Sequence, residues 1–166
     1  MSQPIRMTRT VLIVVAAVFS FTGVAAAQGA RKIDACTLLT KAQIQAAVGQ
    51  NVGDGKLSAK ANPAVGAPCE YVIGDYGAFS ILVKAVGPGE TADKMMAEMK
   101  KMKIAVSDAP GIGDRSFFSS PGYGMLQLNT LKGPWYLIIT MLVPGATETA
   151  QKTAAERLMR DALTKI

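Results

Sequence analysis

The chain has 166 residues, and its 18 Lys and Arg against 12 Asp and Glu give a formal net charge of +6. It contains no histidine, which excludes Ser-His-Asp and Cys-His catalysis and most zinc, non-haem iron and blue-copper sites. The positive charge is modest and favours acidic surfaces without identifying one.

The first 27 residues predict a secretory signal peptide. Arg6 and Arg9 precede an apolar run that ends in Ala25-Ala26-Ala27. A basic start, a short apolar core and small residues before the cleavage site are typical of such a signal. We expect cleavage between Ala27 and Gln28, and a mature protein that is periplasmic or secreted. The alternative is an uncleaved anchor, but a spanning helix needs about 20 mostly apolar residues.

Cleavage would leave 139 residues with a formal net charge of +4, the size of one ordinary domain. We expect residues 28–33 to form an N-terminal tail and residues 34–166 to form a single α+β domain. The predicted architecture is one antiparallel sheet with three helices packed mostly on one face. The export signal and the modest charge both disfavour nucleic-acid binding.

Local signals place the first helix at residues 41–48. Thr40 and Gln43 have the spacing of a capping box. Gly49 suits the left-handed residue that often ends a helix. The start and the end of this helix are therefore both predicted from side chains within one turn of them.

Alternating apolar residues and turn residues predict the strands. Residues 51–68 predict a loop with one weak strand near residues 56–60. Further strands are expected at residues 69–73, 78–86, 104–107, 115–119, 125–131 and 135–143. The last of these is apolar on both faces, which indicates a central position in the sheet.

Two more helices are predicted, at residues 91–103 and 147–164. Each follows a long apolar strand and begins near a similar Pro-Gly sequence. This echo has two interpretations, a duplicated strand-strand-helix half or chance similarity at helix starts.

The second helix carries an apolar stripe of methionines, Met95, Met96, Met99 and Met102. We interpret the stripe as core, packed on strand residues such as Phe79, Ile81 or Ile139. The alternative is a soft-metal site in which Met95, Met99 and Met102 offer thioethers to Cu(I).

The two cysteines, Cys36 and Cys69, predict a structural disulfide. An even pair without a Cys-x-x-Cys motif, in a chain with an export signal, is typical of such a bridge. In the chain-entropy description it stabilises the fold by about 3–4 kcal/mol. The alternative, a two-cysteine metal or redox site, is disfavoured because the chain has no histidine to join it.

The residues around these cysteines also carry a family resemblance. The chain reads Asp-Ala-Cys-Thr-Leu-Leu-Thr at residues 34–40, Ala-Val-Gly at 47–49 and Cys-Glu-Tyr at 69–71. This pattern resembles a family of bacterial secreted proteins and lipoproteins of unassigned function. Their domains open Asp-x-Cys-x-Leu-Leu-Thr and later reach a Cys-x-Tyr strand. The loop Gly-Ile-Gly-Asp at residues 111–114 is similar to a glycine-aspartate loop of that family.

The resemblance covers most of residues 34–143. It implies an α+β domain with a single curved antiparallel sheet, a Cys36–Cys69 bridge and no assigned catalytic residues. The chain lacks the lipidated cysteine of the lipoprotein members, so the resemblance implies no lipid tether.

Taken together, the sequence predicts an exported, non-catalytic protein of the cell envelope that needs no cofactor. Its expected partner is another envelope protein or an amphiphilic ligand. One alternative is a Met-rich periplasmic copper-binding protein. The other is a histidine-free hydrolase, although Ser119-Ser120 lacks the Ser-x-x-Lys spacing that would supply a base.

If Cys36 and Cys69 are bridged, alkylation of the exported protein without prior reduction should add no mass. Reduction before alkylation should then add two adducts. Intact-mass spectrometry of the two samples tests this, and two adducts on the unreduced protein would refute the bridge.

Overall fold

A computed structural model describes residues 33–59 and 66–166. The predicted signal peptide, residues 1–27, lies outside the described residues, as does all but the last residue of the predicted tail at 28–33. None of the helices in the described residues combines the length and the hydropathy that a membrane span requires.

Seven strands form one open antiparallel sheet, in the spatial order β1-β2-β3-β7-β6-β5-β4. Their bounds are β1 Lys56–Leu57, β2 Cys69–Ile73, β3 Gly77–Ala85, β4 Ala105–Asp108, β5 Arg115–Gly122, β6 Met125–Lys132 and β7 Trp135–Leu142. β7 is the middle strand of the seven, which confirms its predicted central position. The mixed α+β class with a single antiparallel sheet is confirmed as well.

Three α-helices accompany the sheet: α1 Lys41–Val48, α2 Ala92–Lys101 and α3 Glu148–Leu163. α1 begins with the predicted capping box, because the Gln43 backbone N–H donates to the Thr40 hydroxyl and the Thr40 N–H donates to the Gln43 side chain. It ends at Gly49, whose φ of +69° is left-handed as predicted.

The main core lies on one face of the sheet, here called the core face. Side chains alternate between the two faces of each strand, so every second residue of β3 and β7 enters the core. α3 packs on β6 and β7 over this face, and α1 packs on α3. The fully buried members include Phe79, Ile81, Leu128, Leu137, Ile139, Leu158 and Met159.

α2 lies on the opposite face of the sheet, here called the open face, against β4 and β5. Arg115 points to this face and reaches Asp93 of α2 at 3.5 Å. Phe117 points the same way and is fully buried, although it lies outside the main core cluster. Two of the three helices thus share the core face, and the third covers only the β4–β5 side of the open face.

This placement contradicts the duplicated strand-strand-helix arrangement. β3 and β7 are antiparallel neighbours, so a two-fold axis relating the two halves would run normal to the sheet between them. Such an axis keeps both helices on the same face, whereas α2 and α3 lie on opposite faces. The Pro-Gly echo therefore reflects two similar helix starts.

The methionine stripe is not part of the main core, which corrects the sequence interpretation. Met95, Met96 and Met99 are half-buried, and Met102 is 64% exposed. Their expected partners Phe79, Ile81 and Ile139 lie on the core face, on the other side of the sheet from α2. An apolar stripe marks the face of a helix that packs, but it carries no information about which side of the sheet receives it.

Cys36 and Cys69 form the predicted disulfide. Cys36 lies in a short 3-10 helix, Ala35–Thr37, and Cys69 is the first residue of β2. The bond therefore ties the segment that precedes α1 to the sheet.

The methionines of α2 and α3 should respond differently to truncation. Met159→Ala should lower the free energy of unfolding by about 2–5 kcal/mol, because Met159 is fully buried. Met102→Ala should change it by less than about 0.5 kcal/mol, because the side chain is mostly exposed. Urea denaturation followed by circular dichroism measures both, and similar losses in the two variants would contradict this placement of α2.

Candidate functional site

The open face carries a groove between the uncovered parts of β2, β3, β7 and β6. It has a volume of about 580 Å³. Its floor comes from the sheet, and its rim comes from the loop before β1 and from β1 itself. The lining residues are Gly53, Asp54, Lys56, Glu70, Tyr71, Val72, Ala78, Phe79, Ser80, Met125, Thr140, Met141 and Leu142.

One row of the groove floor is apolar. Val72 pairs with Ala78, and Ala78 pairs with Leu142, so the three side chains lie side by side across three strands. Met125 of β6 extends the row. Val72 is 57% exposed, and Leu142 and Met125 are half-buried. The row therefore leaves apolar surface in contact with water.

The next row, two residues along each strand, is polar. Glu70 pairs with Ser80, Ser80 with Thr140 and Thr140 with Gln127. At the rim, Lys56 pairs with Glu70 and continues the row onto β1. The groove floor is thus divided lengthwise into an apolar half and a polar half, whose side chains come from the same strands.

A chain of four hydrogen bonds runs from Tyr136 of β7 to the groove floor. The Tyr136 hydroxyl donates to Asn129 Oδ1 at 2.6 Å, and Asn129 Nδ2 donates to Ser119 Oγ at 3.1 Å. Ser119 Oγ then donates to Gln127 Oε1 at 3.2 Å, and Gln127 Nε2 donates to Thr140 Oγ1 at 3.2 Å. Every bond in the chain has its donor on the Tyr136 side.

Because all four bonds have the same direction, they determine whether the Thr140 hydroxyl donates or accepts a hydrogen bond in the groove. Amide nitrogens only donate and amide oxygens only accept, so Asn129 and Gln127 set the orientation of both hydroxyls between and beyond them. Because Thr140 Oγ1 accepts from Gln127, its own hydrogen is left to donate. The polar row therefore offers a hydrogen-bond donor at its centre, strengthened by the polarised chain behind it.

An ion pair lies against Tyr136, at the end of the hydrogen-bond chain that is farther from the groove. Lys84 Nζ lies 5.3 Å from the centroid of the Tyr136 ring and binds the Glu90 carboxylate at 2.7 and 2.8 Å. The hydrogen bonds from Lys84 and from the Gly87 N–H hold the pKa of Glu90 below its usual range. Burial, followed by the nearby Glu90 charge, raises the pKa of Tyr136, so this hydroxyl stays protonated as a donor.

The rim of the groove carries further charge. Asp54 forms an ion pair with Lys41 of α1 at 3.1 Å, and both side chains are largely exposed. Exposed pairs of this kind contribute little to stability. Together with Lys56 and Glu70 they give the rim groups of both signs.

The residues named for the two alternative functions, the copper-binding methionines and the hydrolase serines, do not line the groove. Met95, Met99 and Met102 lie along α2, on the open face but over β4 and β5. Of the two serines named for the hydrolase alternative, Ser119 is 1% exposed and its hydroxyl donates to Gln127. Ser120 is half-buried and lies opposite Ala105 of β4, away from the groove lining. The groove instead holds Ser80, which forms no hydrogen bond to Glu70 in the described part of the chain.

Sequence reasoning missed the polar row because its members alternate with apolar residues and so resemble ordinary solvent-facing positions. Only the register of three strands, β5, β6 and β7, shows that Ser119, Gln127 and Thr140 adjoin one another. No sequence signal in the chain specifies that register.

Comparison with known proteins gave no match: no protein-family model, curated protein or solved structure is significantly similar to this chain.

Breaking the hydrogen-bond chain at its origin should destabilise the fold. Tyr136→Phe leaves Asn129 Oδ1 buried without its donor, so we expect a loss of about 1–3 kcal/mol in the free energy of unfolding. Tyr76→Phe is the matched control, since Tyr76 is 87% exposed and should lose less than about 0.5 kcal/mol. Equal effects of the two substitutions in urea denaturation would contradict a structural role for the chain.

Proposed function

We propose that this chain is an exported, non-catalytic binding protein of the cell envelope and that the groove binds an amphiphilic ligand. The proposal is carried by one observation, the apolar and polar rows that run side by side along the groove floor. Ligand sites are usually concave and mostly apolar, with a few placed polar groups that fix orientation. An amphiphile has the same division within one molecule.

The two rows imply how such a ligand lies. Its hydrocarbon chain covers Val72, Ala78 and Leu142 and removes their apolar surface from water. Its head group lies over the polar row, where Thr140 donates a hydrogen bond. A head group with acceptors for Thr140 and Lys56 and a donor or positive charge for Glu70, such as a sugar or a phosphocholine, fits this row.

Location in the envelope is supported by the predicted signal peptide, and the resemblance to bacterial secreted proteins agrees with it. Both are sequence predictions. The disulfide is consistent with an oxidising compartment, where such bonds persist.

The groove is tested with dodecylphosphocholine, kept below its critical micelle concentration, by NMR titration and calorimetry. Leu142→Thr should weaken binding about tenfold, because it replaces apolar contact area with a hydroxyl. Ile138→Thr is the matched control. It lies on the same strand and face and is also half-buried, but it does not line the groove. It should leave the affinity unchanged.

A third variant separates the polar row from the apolar row. Thr140→Val keeps the shape of the side chain and removes its hydrogen-bond donor, so the affinity should fall by about three- to tenfold. Equal affinity of the parent, Leu142→Thr and Thr140→Val proteins would refute the proposal. Chemical-shift changes confined to α1 and α3 would place the ligand elsewhere and refute it as well.

A further inference from the structure

Two hairpin turns and one helix end meet at a single end of the sheet, here called the tip end. The β2–β3 turn at residues 74–76 and the β5–β6 turn at residues 123–124 leave the sheet on the same side, because the strands between them are antiparallel neighbours. Ala105 pairs with Ser120, close to the end of β5. The turn that leads from α2 into β4 therefore lies at the tip end too.

Large side chains project into solvent at the tip end. Tyr76 is 87% exposed, Tyr123 is 95% exposed and Met102 is 64% exposed. The other exposed large hydrophobic residues of the described part are Val72, which is in the groove floor, and Leu57. Exposed apolar side chains are thus concentrated at one end, whereas singly scattered ones would need no explanation.

The backbone provides a second, independent observation. Positive φ angles occur at ten described glycines, and at only two other described residues, Lys103 at +59° and Tyr123 at +55°. Tyr123 occupies a two-residue hairpin turn in which Asn, Asp or Gly is preferred, and Lys103 follows α2 where Gly or Asn is usual. At both positions the residue is less stable in the left-handed backbone conformation than Gly or Asn would be, and both positions lie at the tip end. Strain of this kind points to a role outside the fold.

Positive charge accompanies these residues. Lys100, Lys101 and Lys103 are exposed at the end of α2, and the exposed Asp75 beside Tyr76 is a negative charge in the β2–β3 turn. Lys101 is paired with Glu98 at 2.6 Å, while Lys100 and Lys103 have no ion pair in the described part of the chain. The chain from residue 28 onwards is positive as well, with a formal net charge of +4.

We propose that the tip end is a membrane-docking surface that binds a bilayer containing anionic lipid. Tyrosine has an apolar ring with a polar tip and concentrates at the level of the head groups, and lysine extends its ammonium toward lipid phosphates. The two hairpin turns are three strand spacings apart, about 14 Å. Separate projecting contacts of this kind fit a fluid bilayer better than they fit a protein surface, which is usually met by one contiguous patch.

The proposal does not depend on the groove. Docking would use Tyr76, Met102, Lys103 and Tyr123, none of which lines the groove. Variants at the tip end should therefore leave the affinity for monomeric dodecylphosphocholine unchanged, and the groove variants should leave vesicle binding unchanged.

Vesicle cosedimentation tests the surface. The protein is the chain from Gln28 onwards with its disulfide formed, because the apolar leader would itself bind lipid. It should partition onto vesicles of phosphatidylglycerol and phosphatidylcholine at 3:7 in preference to pure phosphatidylcholine, and 0.5 M salt should weaken this binding.

Two substitutions at the strained positions make the test specific. Tyr123→Asn and Lys103→Asn introduce a residue that the local backbone prefers, so the Tm should stay the same or rise. Each should lower the partition coefficient about fivefold, and the double variant should lower it further. Leu57→Asn is the matched control. It removes an exposed apolar side chain next to Cys69, at the opposite end of β2, and should not change partitioning.

Failure of the parent chain to cosediment with anionic vesicles would overturn the proposal. Unchanged partitioning of the double variant would overturn it equally. Photocrosslinking from position 123 to an envelope protein, without crosslinks to lipid, would assign the surface to a protein partner instead.

Discussion

The pairing of β3 with β7 is the contact on which the rest of the structure depends. Ala78 pairs with Leu142 and Ala85 pairs with Trp135, so strands from distant parts of the chain meet along their whole length. This pairing joins β1, β2 and β3 to the meander of β4 to β7 and makes one sheet of both. It also places the most apolar strand at the centre, where both of its edges are hydrogen-bonded.

The same pairing accounts for the asymmetry between the two faces. β3 sends Phe79 and Ile81 to the core face, where α3 covers β6 and β7. The alternate residues face the other way, and α2 covers only the region of β4 and β5. The remaining open face needs polar groups to stay compatible with water. Gln127 and Thr140, the half-buried members of the hydrogen-bond chain, supply them. The buried members Tyr136, Asn129 and Ser119 bond to one another, and no buried side-chain polar atom of the described residues is left unpaired.

Features that depend on neighbouring residues could be predicted from the sequence. The bounds of α1 match the prediction because its capping box and terminal glycine act within one turn. β2 matches because turn residues flank it, and the disulfide followed from the presence of only two cysteines. The strand ends elsewhere differ by one to three residues, since nothing local fixes where pairing stops.

Features that depend on distant residues could not be predicted. The stripe of Met95 and Met99 shows which side of α2 packs, but either face of a sheet can receive it. The groove was missed for the same reason, since Ser80 and Thr140 become neighbours only through the β3–β7 register. Tyr123 could be seen in the sequence, but its left-handed backbone could not, because turn type depends on how the flanking strands pair.

An open sheet has two outer strands, and each of them is short in this protein. β1 contributes two residues and includes Lys56, and β4 contributes four and ends at Asp108, which binds Arg115 at 2.9 Å. Long, flat and apolar outer strands recruit strands from other molecules and start aggregation, whereas brevity and charge oppose it. The protein can therefore expose an apolar groove on the face of its sheet without also offering its edges to other copies of itself.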